Sequence, residues 1–513
     1  MKTTRSILLL TILLSAFLRP AIQAQGPLTP PGAPAPTMKS LDQIEARTPI
    51  SAAPFNINAS GSYYLTKNLV VATGSAIAIS ANNVTLDLNG FNISSTESPA
   101  STNVAIYASG TYRNITILNG SISSGVTLSG GTYSGTGFAS GISLPNVATA
   151  RVSGITVAGV KNHGIYVDVK SSVVENCTVD TAGGFGIYAT SVFNSSALNT
   201  GTGGILGNNI SNCFATSVGY GIYSSTVTNS YGASTGSSTP GIYAVTASNS
   251  WGAATADSGI RATNIDNCFG TTTGNSGGGG IFGDTVSNSR GDSSGSASGL
   301  RANISASNCY GNNTSTGIGL VAGAAQNCYG HAVSSDGLNV TLATGSWGKS
   351  NGSGYGIYAA FMATNSLGLS SSGDGVYTAV ATGSYGSSTS ANGINTSVAT
   401  GSYGSSTSGN GINTSMANGC YGSGGKDGIF AIKCVNGSYG YTSATSGFFA
   451  GIYAQTPVFG DYVPVSFSYG ESTTSVVAGM QAGLAFCCHS RIGPINAPHN
   501  YFCGTDAGTY YPP

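Results

Sequence analysis

A glycine followed by Ile, Leu or Val opens sixteen successive units between Gly164 and Gly451, at intervals of 17 to 23 residues. Most units also carry Asn or Gly, then Ser or Cys, then an aromatic residue, then Gly, as in Asn229-Ser230-Tyr231-Gly232. A fixed period of this length is the mark of a solenoid, in which each repeat buries its apolar face only against its neighbours. The chain has 77 Gly and only 7% charged residues, yet 40% of it is hydrophobic, so it holds enough apolar material to fold where a disordered Gly- and Ser-rich chain would not.

One unit read residue by residue gives short strands with one buried face. In the unit opened by Gly241, Ile242 and Ala244 alternate with Tyr243, the period of a strand. The slot after the aliphatic holds Tyr243, Arg261, Phe282, Arg301, Asn339 or Asn395 in different units, so it faces water. Further on, Val227, Ala247 and Ile265 point in, and Thr228, Ser248 and Asp266 point out. The next slot takes Asn or Gly, the two residues that tolerate a left-handed backbone, and so marks a bend between strands.

Cys213, Cys268, Cys309, Cys328 and Cys420 occupy the slot that Ser230, Ser250, Ser289, Ser346, Ser384 and Ser402 fill elsewhere. A slot that accepts Ser and Cys alike requires a small side chain, and these five are expected as buried thiols in an internal stack. Cys309 and Cys328, in successive units, could form a bridge if the stack geometry allowed it.

Residues 1–24 have the pattern of a secretory signal: Lys2 and Arg5, an apolar run from Ile7 to Leu14, and a cleavage site after Ile22-Gln23-Ala24. Without Lys2, Arg5 and Arg19 the mature chain keeps 14 basic and 17 acidic residues, with no basic cluster, which argues against a nucleic-acid partner. Its apolar segments are too short for a transmembrane span. A Pro-rich linker is expected over 25–37, with an N-terminal cap and first coils over 38–140. Regular repeats then run over 141–456 and a C-terminal cap over 457–513. Residues 38–53 could form one helical turn, and Gly61–Leu65, Leu69–Val71, Ile77–Ile79, Val84–Leu88 and Ile115–Leu118 read as closely spaced strands.

The phrase NNVTLDLNGFNIS, Asn82 to Ser94, together with Gly61-Ser62-Tyr63-Tyr64-Leu65-Thr66 before it, resembles the opening coils of right-handed parallel β-helix proteins, the superfamily of pectate lyases and NosD-like periplasmic proteins. The resemblance extends through the repeats to about residue 455 and concerns the scaffold. It implies an all-β fold: a right-handed parallel β-helix solenoid with about 19 residues per coil, capped at both ends. A left-handed β-helix needs an aliphatic every six residues, and from Ile394 that count reaches Thr400 and Ser406, so the hexad fails.

Three kinds of chemistry can be sought on such a scaffold. The first is that of a polysaccharide lyase or glycoside hydrolase, which needs converging acids and a base. Asp257, Asp284, Asp336, Asp374 and Asp427 lie in or near turns and read as turn formers, with Asp336, Asp374 and Asp427 in one slot but coils apart. Lys161-Asn162-His163-Gly164, with Asp168 and Lys170, reads as a solvated patch: Asn162 stands where a polygalacturonase-like Gly-His-Gly motif has its first glycine, and that family's other elements are missing. The second is a metal site in the tail, where Cys487, Cys488, His489 and Cys503 gather; a disulfide from Cys503 to Cys487 or Cys488 is the preferred reading, and no metal or other cofactor is expected. The copper that a NosD-like resemblance suggests finds no His or Met ligands in the repeats.

The third is the aromatic column formed by Phe214, Tyr231, Trp251, Phe269, Tyr310, Tyr329, Trp347, Tyr385, Tyr403, Tyr421 and Tyr439, which Arg290 and Leu367 interrupt. Near-uniform aromaticity favours a core stack and Arg290 favours exposure; the core reading is adopted here. If the column faces out, Tyr385, Tyr403, Tyr421 and Tyr439 are the candidate binding residues, suited to sugar rings or to another protein. The units at Gly393 and Gly411 share nearly every residue, with Ile394-Asn395-Thr396-Ser397 recurring as Ile412-Asn413-Thr414-Ser415. Such copying leaves little room for a unique pocket. A secreted or surface-associated protein with a structural, adhesive or carbohydrate-binding role is expected in preference to an enzyme, with polysaccharide or cell-surface components as partners.

Overall fold

The computed structural model describes residues 45–505, apart from 101, 168–170, 276–277, 447, 456–463, 474–477, 483, 487, 492–493, 498 and 502–503. The expected signal peptide and linker, and Asp168, Lys170, Cys487 and Cys503, lie outside the described residues, as does the proposed tail disulfide. The described residues from Thr48 on form one compact unit. That unit is all-β, with no helix among the described residues: a parallel β-helix of about 22 turns with about 19 residues per turn. Strands of the solenoid pair in parallel with their counterparts one coil on, as Ile242 does with Ile260 and Ile260 with Ile281, while Gly125–Ser129 and Thr132–Thr136 form a separate antiparallel hairpin.

The period-two pattern produces this core directly. Ile242, Ile260, Ile281, Leu300, Leu320, Leu338, Ile357, Val376, Ile394, Ile412, Ile429 and Ile452 form one unbroken internal column, all fully buried. Each contributes roughly 1.5–3 kcal/mol relative to an exposed side chain. The strand signals of the first coils are borne out, as Gly61–Leu65, Leu69–Val71, Ile77–Ile79, Val84–Asp87 and Ile115–Ser123. Thr48–Ile50 is a strand paired with Tyr63–Leu65, not part of a helical turn. Past residue 456, where the sequence repeat fades, coils continue in register: Tyr439 pairs with Tyr469, and Tyr469 with His489.

In every unit the backbone turns at the Asn or Gly slot through a positive φ, 49° at Asn249, 51° at Asn267, 57° at Gly383 and 54° at Gly401. The side chain that follows points inward. Ser230, Ser250, Ser384 and Ser402 are buried there, and so are the thiols of Cys213, Cys268, Cys309, Cys328 and Cys420, as expected. Each Ser hydroxyl accepts the amide N–H of the same slot one coil earlier, as Ser230 Oγ does from Cys213 (3.1 Å) and Ser402 Oγ from Ser384 (3.2 Å). Cys309 and Cys328 stay separate thiols, each donating to a backbone carbonyl, Cys309 to Ser307 (3.1 Å) and Cys328 to Gln326 (3.2 Å).

The ring comes next, and here the expectation of a core stack is overturned. The aromatic column faces outward: Trp251 is 48% exposed, Trp347 42% and Tyr403 37%. The interior is closed at this corner. A Cβ on Gly404, the residue after Tyr403, would lie 2.1 Å from the carbonyl oxygen of Gly411, so backbone meets backbone where a side chain would have to fit. The bend at Gly401 resets the alternation, which then runs Ser402 in, Tyr403 out and Gly404 in, and turns the ring to the surface.

Candidate functional site

The outward rings form two different surfaces. Tyr385, Tyr403, Tyr421, Tyr439 and Tyr469 stack face to face, with centroids 4.6–5.1 Å apart and planes within 10° of parallel. Their flat faces are covered by one another, so ring edges and hydroxyls meet solvent. Tyr439 donates its hydroxyl to Glu471, which also lies 3.6 Å from Arg491; burial and that carboxylate raise the Tyr439 pKa. The structure thus brings the four sequence-predicted residues together, but as a spine of coil-to-coil contacts.

The column from Phe214 to Tyr310 is less regular. Phe214 and Tyr231 are stacked, but the Trp251 ring stands 83° from Tyr231 and 42° from Phe269, so it lies flat against neither neighbour and stays about half exposed. Arg290 lies between Phe269 and Tyr310, 5.6 and 4.8 Å from their centroids, with its guanidinium 2.9 Å from Asp292. Its charge is therefore paired.

Beside these rings the bends carry Asn, not Gly. Asn194, Asn212, Asn229, Asn249, Asn267, Asn288 and Asn308 form the other wall of a groove of about 1220 Å³ that crosses successive coils. Part of this wall satisfies itself: Asn212 donates to Asn194 (3.2 Å), Asn267 to Asn249 (2.7 Å) and Asn308 to Asn288 (3.2 Å). The amide ladder is broken at the two coils that present Tyr231 and Trp251. Among the described residues Asn229 makes no side-chain hydrogen bond, and Asn249, like Asn194 at the end of the wall, accepts one but donates none. Both are exposed. Such a groove offers apolar ring faces on one side and neutral amide donors and acceptors on the other, the pattern that sugar rings require. Sequence reasoning had both columns, but without the orientation of the rings it could not see them as walls of one groove.

A second outward column changes along the same axis. Register connects Asn209, Thr226, Thr246, Asn264, Thr285 and Ser305, and then continues as Ala324, Leu342, Met362, Val380, Val398 and Met416. The polar version flanks the Asn bends of the groove. The apolar one accompanies the change to Gly.

The acids are occupied by the scaffold. Asp336 and Asp374 border one recess of about 540 Å³ with Tyr355 between them. Asp336 accepts the Tyr355 N–H (2.9 Å) and the Asn339 amide (2.8 Å), and Asp374 accepts the Asn392 N–H (2.8 Å) and the Asn395 amide (3.0 Å). The same slot continues the ladder, with Asn392 accepting from Asn410, Asn410 from Asp427, and Asp427 from Ala450 (2.8 Å). Burial pushes the Asp427 carboxyl up to about 7. Asp257 accepts from Ser258, while Asp284 sits on a strand and not in a turn, accepting the Asn303 amide.

His163 is half-buried instead of solvated. It stacks on Phe185 at 5.7 Å, accepts the Phe185 N–H at Nδ1, and has its pKa lowered by burial. Lys161 and Asn162 beside it are exposed, and the Lys161 ammonium donates to the Ala100 carbonyl. In the tail, Cys488 is buried and continues the inward Ser and Cys column. Among the described residues no three His, Cys, Asp or Glu side chains gather as a metal site, and no helix is long and apolar enough to cross a membrane.

Compared with family models, curated proteins and solved structures, the chain matches none. The likeness to pectate-lyase-like proteins is accordingly one of scaffold, a parallel β-helix, without support from a family model.

Proposed function

We propose that this chain is a non-catalytic carbohydrate-binding protein, exported through its N-terminal segment and acting outside the cell or at its surface. The observation that carries the reading is the groove between the Asn bends and the rings around Trp251, where an open indole face and unused amide donors lie on the same coils. Aromatic platforms and neutral amides match the apolar faces and hydroxyl edges of sugars. The lyase or hydrolase alternative has less support, because Asp336, Asp374 and Asp427 are engaged as acceptors for backbone N–H groups of neighbouring coils.

Retention on a panel of plant, fungal and bacterial polysaccharides, run beside an assay for reducing or unsaturated sugar ends, tests the proposal. Binding without turnover, lost in Trp251→Ala, is the expected result. Sugar-end release would make the protein an enzyme, and absence of retention on every polysaccharide would end the carbohydrate reading. Mass spectrometry of chain recovered from the culture medium, expected to begin after Ala24, checks export.

A further inference from the structure

We infer that the ligand of the groove is a straight, uncharged polysaccharide with equatorial linkages, lying parallel to the solenoid axis with about one sugar per coil. This rests on the carbohydrate-binding reading and goes beyond it in naming the class and direction of the chain.

Three observations lead to it. The first is length. The groove wall runs from Asn194 to Asn308, one amide for each of seven coils, with Trp251 on the central coil. At about 4.8 Å per coil this is a track of about 30 Å. An extended equatorially linked pyranose chain advances by nearly the same distance per sugar, so each coil meets one sugar, alternate sugars presenting the same edge. A helical, axially linked chain would leave the track after a few residues.

The second is charge. Among the described residues Arg290 is the one charged residue lining the groove, and its guanidinium is paired with Asp292 and held between two rings. A polyuronate or a sulfated chain would find no row of cations to replace its counterions, whereas a neutral chain loses nothing on that account.

The third is the break in the amide ladder. Side-chain donors remain unused at Asn194, at one end of the wall, and at Asn229 and Asn249, which flank the two central rings, Tyr231 and Trp251. Hydroxyls of sugars seated on those rings would complete the ladder. The coils with Gly bends offer no counterpart.

Titration calorimetry of the whole chain with β-1,4-linked gluco-, manno- and xylo-oligosaccharides of two to eight units tests the inference, with α-1,4-linked glucan and polygalacturonate as controls. At least one β-linked series should bind more tightly with each added sugar up to about seven and then level off, with little change between low and high salt. Asn229→Gly with Asn249→Gly, which keeps a residue that accepts the bend and removes both amides, should weaken the longest oligomer about tenfold without moving the melting temperature by more than a degree or two. Equal affinity for disaccharide and heptasaccharide would overturn the axial track, as would preference for the α-linked chain. Salt-sensitive preference for polygalacturonate would overturn the neutral class while leaving carbohydrate binding intact. If neither oligomer nor polymer of any class binds, the carbohydrate reading itself fails.

Discussion

The coils around Trp251 and the coils around Tyr403 have the same core and opposite surfaces. Ile242 and Ile412 are equally buried, and their backbones bend at the same slot. Around Trp251 the bend is Asn, the adjoining outward column is Thr and Asn, and one ring turns its face to solvent. Around Tyr403 the bend is Gly, that column is Val and Met, and the tyrosines cover each other's faces. Ring content alone therefore does not identify a binding face. Both columns are in register; parallel rings stack on one another, and a tilted ring leaves a platform.

The comparison can be broken at its base. Ile242→Ala and Ile412→Ala should each cost about 2–5 kcal/mol, measured by urea unfolding, because both leave a cavity in the same internal column. A large inequality would mean that the two regions differ inside as well as outside.

Asp427 separates stability from binding. Its folded pKa of about 7 lies above the ordinary 3.8, so the folded state holds the proton more tightly. Stability is then fully present below about pH 4 and falls as pH rises from about 4 to about 7, by up to 2–4 kcal/mol. Asp427→Asn, the residue that Asn392 and Asn410 already place in this slot, should flatten that slope in melting curves. Binding in the groove should be flat over the same range, since its lining is uncharged apart from Arg290.

Trp251→Ala should lose about 2 kcal/mol of polysaccharide affinity, roughly 30-fold, with melting unchanged within a few degrees. Tyr403→Ala should do the reverse, costing about 1 kcal/mol of stability through its two stacked neighbours while retention on polysaccharide is preserved. If Tyr403→Ala also abolished retention, the binding face would have to include the regular stack.

The smallest effect concerns the bend. At Gly401, with φ 54° and open space where a Cβ would stand, Asn should be nearly neutral, as Asn365 already occupies this slot in the same part of the chain, whereas Ala should cost about 1 kcal/mol. Equal melting temperatures for the two variants would remove the left-handed bend as the reason for the Asn and Gly choice.

Much of this molecule was legible in its residues. The Gly-aliphatic period gives the coil, the Ser and Cys exchange gives the internal stack, and the Asn and Gly exchange gives the bend, because each slot's tolerance reports a local steric requirement. Asp336, Asp374 and Asp427 were readable as scaffold residues from their shared slot, although their acceptor ladder depends on the neighbouring coil. The direction of the rings was not readable. It follows from the contact of Gly404 with the Gly411 carbonyl, made across the interior of the solenoid, which leaves no volume for an inward ring. Nor could the chain by itself tell the open face of Trp251 from the covered faces of Tyr385 to Tyr439, since a ring's tilt is set by the neighbour stacked one coil away. Sequence determined the period, the core and the bends, which are local and repeated; tertiary structure alone decided which surface is free, because that depends on what the adjacent coil has already covered.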